Sequence, residues 1–254
     1  MLDVPKSTNV QVLDRALTLL EILSSAPEGM SISELSELSK VPLPTVHRIL
    51  QTLVHRGYVR RASGRRYALG PRLVPLGQTA ATLLHHWVRP YLAGLVDALG
   101  ETANMAVLDG DSVVYVAQVP SRHSMRMFTE VGRRVGLHCT GVGKALLAAL
   151  PVDQALAILE RSSLDAKTDR TFTHLDALME ELRLTRERGY AIDDGEQEVG
   201  VRCVAMVVGD FHALAAISVS GPAARISLED LPRICPMLSE TASAISAEFS
   251  SQAE

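Results

Sequence analysis

Cysteines, aromatic residues and long apolar runs are all scarce in this chain. Of 254 residues three are cysteines and 4% are aromatic. No apolar stretch approaches the ~18 residues that mark a membrane span, so no membrane partner is expected. Cys139, Cys203 and Cys235 are odd in number, far apart and without a CxxC pair. That argues against a disulfide frame or a zinc finger and fits a reduced, cytoplasmic protein. Residues 1–11 carry Asp3 and Lys6 and lack an apolar core, so they do not read as a signal peptide. P-loop, GxGxxG, HExxH and GxSxG motifs are missing, as is any repeat of fixed period. With 47% hydrophobic and 21% charged residues the composition excludes collagen-like, coiled-coil and broadly disordered chains.

Charge is present, but unevenly. The formal net charge is -4. Residues 1–75 hold ten Lys/Arg against six Asp/Glu, while residues 76–254 hold fifteen against twenty-three. A basic head thus precedes an acidic body. From Lys40 to Arg72 there are eight basic residues and no acid. A one-signed stretch of this kind points to a polyanion partner.

Within the head, Val10, Leu13, Ala16, Leu17, Leu20 and Leu23 recur at helical spacing and predict an amphipathic helix over 9–25. Pro27-Glu28-Gly29 breaks it. Ser31 and Glu34 have the spacing of a capping box and start a second helix over 31–39. Val41-Pro42 makes a tight turn, and a third helix begins near Pro44 and stops at Gly57. Residues 58–70 then read as two short strands around a Ser-Gly turn. Three helices and a hairpin in this order make a winged helix-turn-helix. Its third helix would present Pro44, Thr45, His47, Arg48 and Gln51 to the major groove of double-stranded DNA. The wing would place Arg60, Arg61, Arg65 and Arg66 over phosphates or in a minor groove.

Residues 72–89 have an apolar stripe (Leu73, Leu76, Ala80, Leu83, Leu84, Trp87) and predict a linker helix of about 18 residues. Pro90 is expected to interrupt it, with 91–99 resuming as a second piece. The stripe is expected to pack against a partner subunit in a homodimer.

Domain bounds are expected at 1–71, 72–89 and 90–254. In the last of these, 103–107 and 113–119 read as a hairpin around Asp109-Gly110-Asp111. Further strands are expected at 125–129, 190–193, 202–208 and 213–219, with a turn at Asp210. Helices are expected at 144–150, 175–188 and 227–249. The pattern is α+β, with an antiparallel sheet carrying helices. A binding cavity is expected where the Gly141–Gly143 loop feeds a helix N-terminus. Ser218 and Ser220 alternate on one strand face, beside Asp193 and Cys203 on neighbouring strands. Walls of Met127, Val135 and Val201 would suit a small polar anion with a short apolar part. Each of these features also occurs as ordinary structure: a turn, satisfied hydroxyls, a small core thiol. A zinc site of His138, Cys139, Asp193 and Cys203 lacks motif spacing. The adjacent His138 and Cys139 are poorly placed as a nucleophile–base pair. No cofactor or resident metal is expected, and no enzyme activity.

These residues resemble the IclR family of bacterial transcriptional regulators from Val12 to about Phe249. The head shares Asp14-Arg15-Ala16-Leu17-Thr18-Leu19-Leu20, Pro44-Thr45-Val46-His47-Arg48-Ile49-Leu50 and Gly57-Tyr58-Val59. The body shares Leu137-His138-Cys139-Thr140-Gly141-Val142-Gly143-Lys144-Ala145 and Ile217-Ser218-Val219-Ser220-Gly221-Pro222. Between them stand Gly189, Asp193, Glu196, Cys203, Val204, Ala205, Val208 and Asp210 at the family's intervals. Gly209 departs from the usual aromatic or His, with Phe211 two residues later. The resemblance implies a homodimer or dimer of dimers with a GAF-like effector domain. It also implies an effector site of Met127, Val135, Gly141, Val142, Asp193, Val201, Cys203, Ser218 and Ser220. The expected function is an effector-responsive repressor of a catabolic operon that senses a small carboxylate. The alternative is a constitutive DNA binder whose body serves only oligomerisation.

Overall fold

A computed structural model describes residues 10–251 except 27, 128 and 210–213. The chain divides into two compact units, residues 1–80 and 81–254.

In the first unit, α1 (Gln11–Ser24), α2 (Ile32–Ser39) and α3 (Leu43–His55) precede the antiparallel strands β1 (Val59–Arg61) and β2 (Tyr67–Leu69). The Ser31 hydroxyl accepts from the Glu34 amide at 3.3 Å and the Glu34 carboxylate accepts from the Ser31 amide at 2.6 Å, so the capping box forms at both ends. Lys40, not a glycine, closes α2 in the left-handed region with φ 55°. The Ser39 hydroxyl supports that turn, donating to Leu35 O and accepting from the Val41 amide. Pro44 sits in the first turn of α3, where a missing N–H costs nothing. Leu19, Leu23, Leu35, Val46, Leu50 and Val59 form the core. The apolar stripe predicted for α1 divides: Leu23 is buried, but Val10, Leu13 and Leu17 are 63%, 58% and 51% exposed. Pro27 lies outside the described residues.

Helix α4 (Leu73–Leu99) runs unbroken through Pro90, contrary to the predicted interruption. A proline removes one hydrogen bond and crowds the preceding turn. Here the turn is held from outside, because Val88, Leu92, Leu95 and Val96 are buried in the second unit's core. Trp87 is also explained within its own chain. Its Nε1 donates to Glu248 at 2.5 Å, beside a Tyr91–Glu248 bond and an edge-on contact with Phe249.

The second unit is built on a six-stranded antiparallel sheet in the order β5-β4-β3-β8-β7-β6. The strands are β3 (Thr102–Asp109), β4 (Ser112–Val119), β5 (Arg134–Val135), β6 (Ala191–Asp194), β7 (Val201–Val208) and β8 (Ala215–Pro222). One face is covered by the second half of α4 and by α8 (Leu231–Ser251). The other is covered by α5 (Gly141–Ala149), α6 (Val152–Arg161) and α7 (Leu175–Arg188). Residues on β8 alternate accordingly: Ile217 and Val219 join the first core, while Ala216 joins the second.

Three expectations change. The strand predicted at 125–129 does not form among its described residues, because the edge of β4 pairs with Arg134–Val135 instead. Gly141 and Gly143 belong to the first turn of α5, not to a loop before it. Helix α6 was not predicted. The predicted turn at Asp210 lies outside the described residues. Among those described, no helix is long and apolar enough to cross a membrane.

Two glycines separate packing from propensity. A Cβ on Gly143 would meet Leu137 O at 2.4 Å, whereas one on exposed Gly94 in α4 meets nothing within 4 Å. Gly143→Ala should therefore cost about 1–3 kcal/mol of stability. Gly94→Ala should add about 0.5–1 kcal/mol by raising helix propensity. Urea unfolding followed by circular dichroism checks both signs.

Candidate functional site

The cavity expected from the sequence lies on the α5 face of the sheet. Antiparallel pairing sets Asp193 opposite Cys203, and Cys203 opposite Ser220. Ser218 pairs one step along, opposite Ala205. Helix α5 approaches this row end-on. A Cβ at Gly141 would meet Cys203 Sγ at 2.9 Å, so only glycine allows the approach. Thr140 caps the helix, its hydroxyl accepting from the Gly143 amide at 3.1 Å and donating to Gly136 O at 2.8 Å. The Gly141 and Val142 amides, first in the helix, have no carbonyl one turn back to bond. The helix end thus brings N–H groups and positive potential to the cavity.

Of the nine residues expected here, seven line the cavity: Met127, Val135, Gly141, Asp193, Val201, Cys203 and Ser220. Val142 instead packs wholly into the core beneath. Ser218 is fully buried, and its hydroxyl has no hydrogen-bond partner among the described residues. The sequence reading missed Tyr115, Thr129, Arg133, Thr140, Gln197 and Glu198, which complete the lining. Thr140 was legible as an N-cap before a glycine helix start. The others arrive from strand and loop positions that carry no local signal.

The cavity floor depends on a buried ion pair. Lys144 is completely buried on α5, and its Nζ lies 2.5 Å from Glu196 Oε1 and 3.6 Å from Glu181 Oε1. The Phe172 ring lies 5.0 Å from the same ammonium. Glu196 lies in the turn that follows β6, and Asp193 Oδ1 on that strand accepts from the Glu196 amide at 2.7 Å. Burial pushes the Asp193 carboxyl up to about 6, although the Glu196 amide and Lys144 both draw it down. Burial likewise raises the Glu196 carboxyl, again against Lys144. The two cavity-side thiols are raised by burial, Cys139 to about 12 and Cys203 to about 11. Both are therefore held in the neutral form, so neither rests as a thiolate nucleophile. The Cys139 thiol donates to Gln197 at 2.9 Å.

In the head, Pro44, His47, Arg48 and Gln51 project from one exposed face of α3, with Thr45 half-exposed beside them. Arg60, Arg61 and Arg65 are exposed on the wing. Gly64 and Arg65 turn its tip with φ 68° and 61°. Arg66 is half-buried and tied back to the head. Its Nε donates to Gly29 O at 2.9 Å and its guanidinium lies 3.6 Å from Glu34, so it braces the wing against the head.

The acids of the cavity fix a pH dependence. Folding raises Asp193 from 3.8 to about 6, so between these values the native state holds more protons than the unfolded chain. Stability from this group must then fall as pH rises through that window. Glu196 acts in the same direction. Asp193→Asn, which keeps the acceptor oxygen, should flatten the decline in melting temperature between pH 4 and 6.5. An unchanged slope would refute the assignment.

Residues 12–63 match the model of the IclR helix-turn-helix domain, and residues 79–247 match the bacterial transcriptional regulator IclR C-terminal model. The transcriptional repressor IclR of Escherichia coli is 37% identical over 230 residues, covering 88% of this chain and 84% of that one. The acetate operon repressor of Salmonella typhimurium is 33% identical over 252 residues, covering 96% and 92%. Among solved structures, the Thermotoga maritima IclR superposes with a TM-score of 0.64 at 28% identity, covering 94% of this chain and 99% of that one. With a DNA-reading head and a regulator body both matched in order, the chain belongs to the IclR family of bacterial transcriptional regulators.

Proposed function

We propose that this regulator is a cytoplasmic, sequence-specific repressor of a catabolic operon, released or strengthened by a small carboxylate effector. The observation that carries the DNA half is the exposed, acid-free face of α3 beside the wing arginines. Arg48 and Gln51 are suited to base edges, and Arg60, Arg61 and Arg65 to phosphates. A single head reads a short half-site, so a homodimer or dimer of dimers on a palindromic operator is expected. Exposed Val10, Leu13 and Leu17 on α1, with Val74, Leu76 and Leu83 on α4, offer apolar surface for that assembly. The cavity supports the sensing half, since it combines helix-end amides, hydroxyls and apolar walls in the body.

An effector acts only if its affinity differs between two states of the protein, and operator DNA must then alter effector affinity reciprocally. Gel-shift titration with the chain's own upstream region tests the proposal. Affinity should fall steeply with salt. Arg48→Ala should cost about 1–3 kcal/mol and relax specificity at one base pair, while Arg65→Ala should weaken all sequences alike. Salt-insensitive or absent binding would sink this reading. The alternative, a constitutive binder, is favoured if no small carboxylate shifts operator affinity.

A further inference from the structure

The cavity on the α5 face adjoins a second chamber. The inner cavity leaves about 30 Å³ free, against the ~10–15 Å³ that one water needs. It therefore admits a group the size of a carboxylate and little more. The outer chamber has a volume of about 440 Å³ and shares Met127, Arg133, Glu198 and Val201 with the inner one. It also carries Arg126 on its wall.

The two arginines at the mouth lack, among the described residues, the carboxylate partner that most arginines of the body have; Arg89 and Arg186 lack one as well, but neither lines either chamber. Arg122, Arg134, Arg161, Arg170, Arg183, Arg188, Arg202, Arg225 and Arg233 each lie within 4 Å of a carboxylate. Among the described residues, Arg133 has neither an ion pair nor a side-chain hydrogen bond, although this half of the chain is rich in acid. Arg126 donates only to the His123 carbonyl at 3.3 Å. Glu198 is the one carboxylate on the outer wall, and it pairs with neither arginine. The mouth thus carries a net positive charge in an acidic body.

The wall bearing these residues is tethered. Arg225 forms a fork on buried Glu101 and donates to Met125 O at 2.9 Å. The Thr102 hydroxyl donates to Met127 O at 3.4 Å. An anion at the mouth would therefore meet a positioned wall, and the ordering of that wall would not be charged against binding.

We propose that the effector carries two anionic groups. One carboxylate enters the inner chamber at the start of α5, beside Ser220. A short methylene spacer passes Met127 and Val201. The second carboxylate lies in the outer chamber on Arg133, with Arg126 adding to the field. Arg133 is on this account the residue that selects dicarboxylates over monocarboxylates. The proposal rests on the reading of the cavity as an effector site.

Calorimetry on the full-length protein with matched pairs, glutarate against valerate and succinate against butyrate, tests it. A dicarboxylate should bind the wild type at least about tenfold more tightly than its partner. Arg133→Ala should abolish that preference, weakening the dicarboxylate at least about tenfold more than valerate, and Arg133→Lys should retain part of it. Equal affinities in the wild type, or equal loss for both ligands in Arg133→Ala, would overturn the assignment of Arg133 and leave the cavity reading standing. No binding of any of the four acids, or binding unaffected by Ser220→Val, would overturn both.

Discussion

Burying an ammonium group forfeits several kcal/mol of hydration unless its partners are close and well placed. Lys144 is buried completely, and it meets that condition with Glu196 at 2.5 Å, Glu181 at 3.6 Å and the face of Phe172. The pair does more than offset its own cost. Lys144 lies in the first turn of α5, and Glu196 lies in the turn that follows β6. One bond thus joins the two elements that face each other across the cavity. Removing either partner alone would strand a buried charge, so the helix end and the Asp193 turn cannot relax independently. Glu181 extends the constraint to α7 and, through Arg188 at 2.6 Å, to the end of that helix.

Close approach is the second half of the same constraint. Helix α5 can deliver its amides to the Cys203 row only because Gly141 has no side chain to hold it off, while Gly143 lets the preceding Leu137 backbone fold close against the helix. A helix held farther away would leave room for water, and its dipole would be screened from anything in the cavity. The small size of the inner chamber and the closeness of the helix amides to it therefore have one cause. The raised Asp193 carboxyl follows from it too, since the burial that excludes water also disfavours the charged acid.

What could be read from the sequence follows from how local each signal is. The capping box of Ser31 and Glu34, the stop of α7 at Gly189 and the shared face of Ser218 and Ser220 depend on residues a few positions apart, and all are visible. The burial of Lys144 is invisible, because the partner that makes it tolerable is 52 residues away and a lysine after two glycines looks solvated. Arg65 and Arg66 look alike in sequence, yet one is exposed and the other reaches across 37 residues to Gly29 O. Pro90 misleads for a different reason. It breaks a local preference for helix continuity that the surrounding core overrides. Helix α6 was legible and overlooked: Val152, Ala155, Leu156 and Leu159 recur at helical spacing behind Pro151.

The sheet gives the cavity a route to the other side of the body. On β8, Ser218 and Ser220 lie on the α5 face, while Ile217 and Val219 lie in the core formed by α4 and α8. On β7, Cys203 faces the cavity and Val204 faces the same α4–α8 core. Successive residues of a strand share one backbone, so β8 cannot shift toward a ligand without moving Ile217 and Val219. Those residues share a core with Leu92, Leu95 and Val96 of α4. Close-packed cores transmit such displacements because they have few voids in which to absorb them. The unbroken course of α4 through Pro90 belongs to the same packing, since Val88 before the proline and Leu92 after it are both buried in this core.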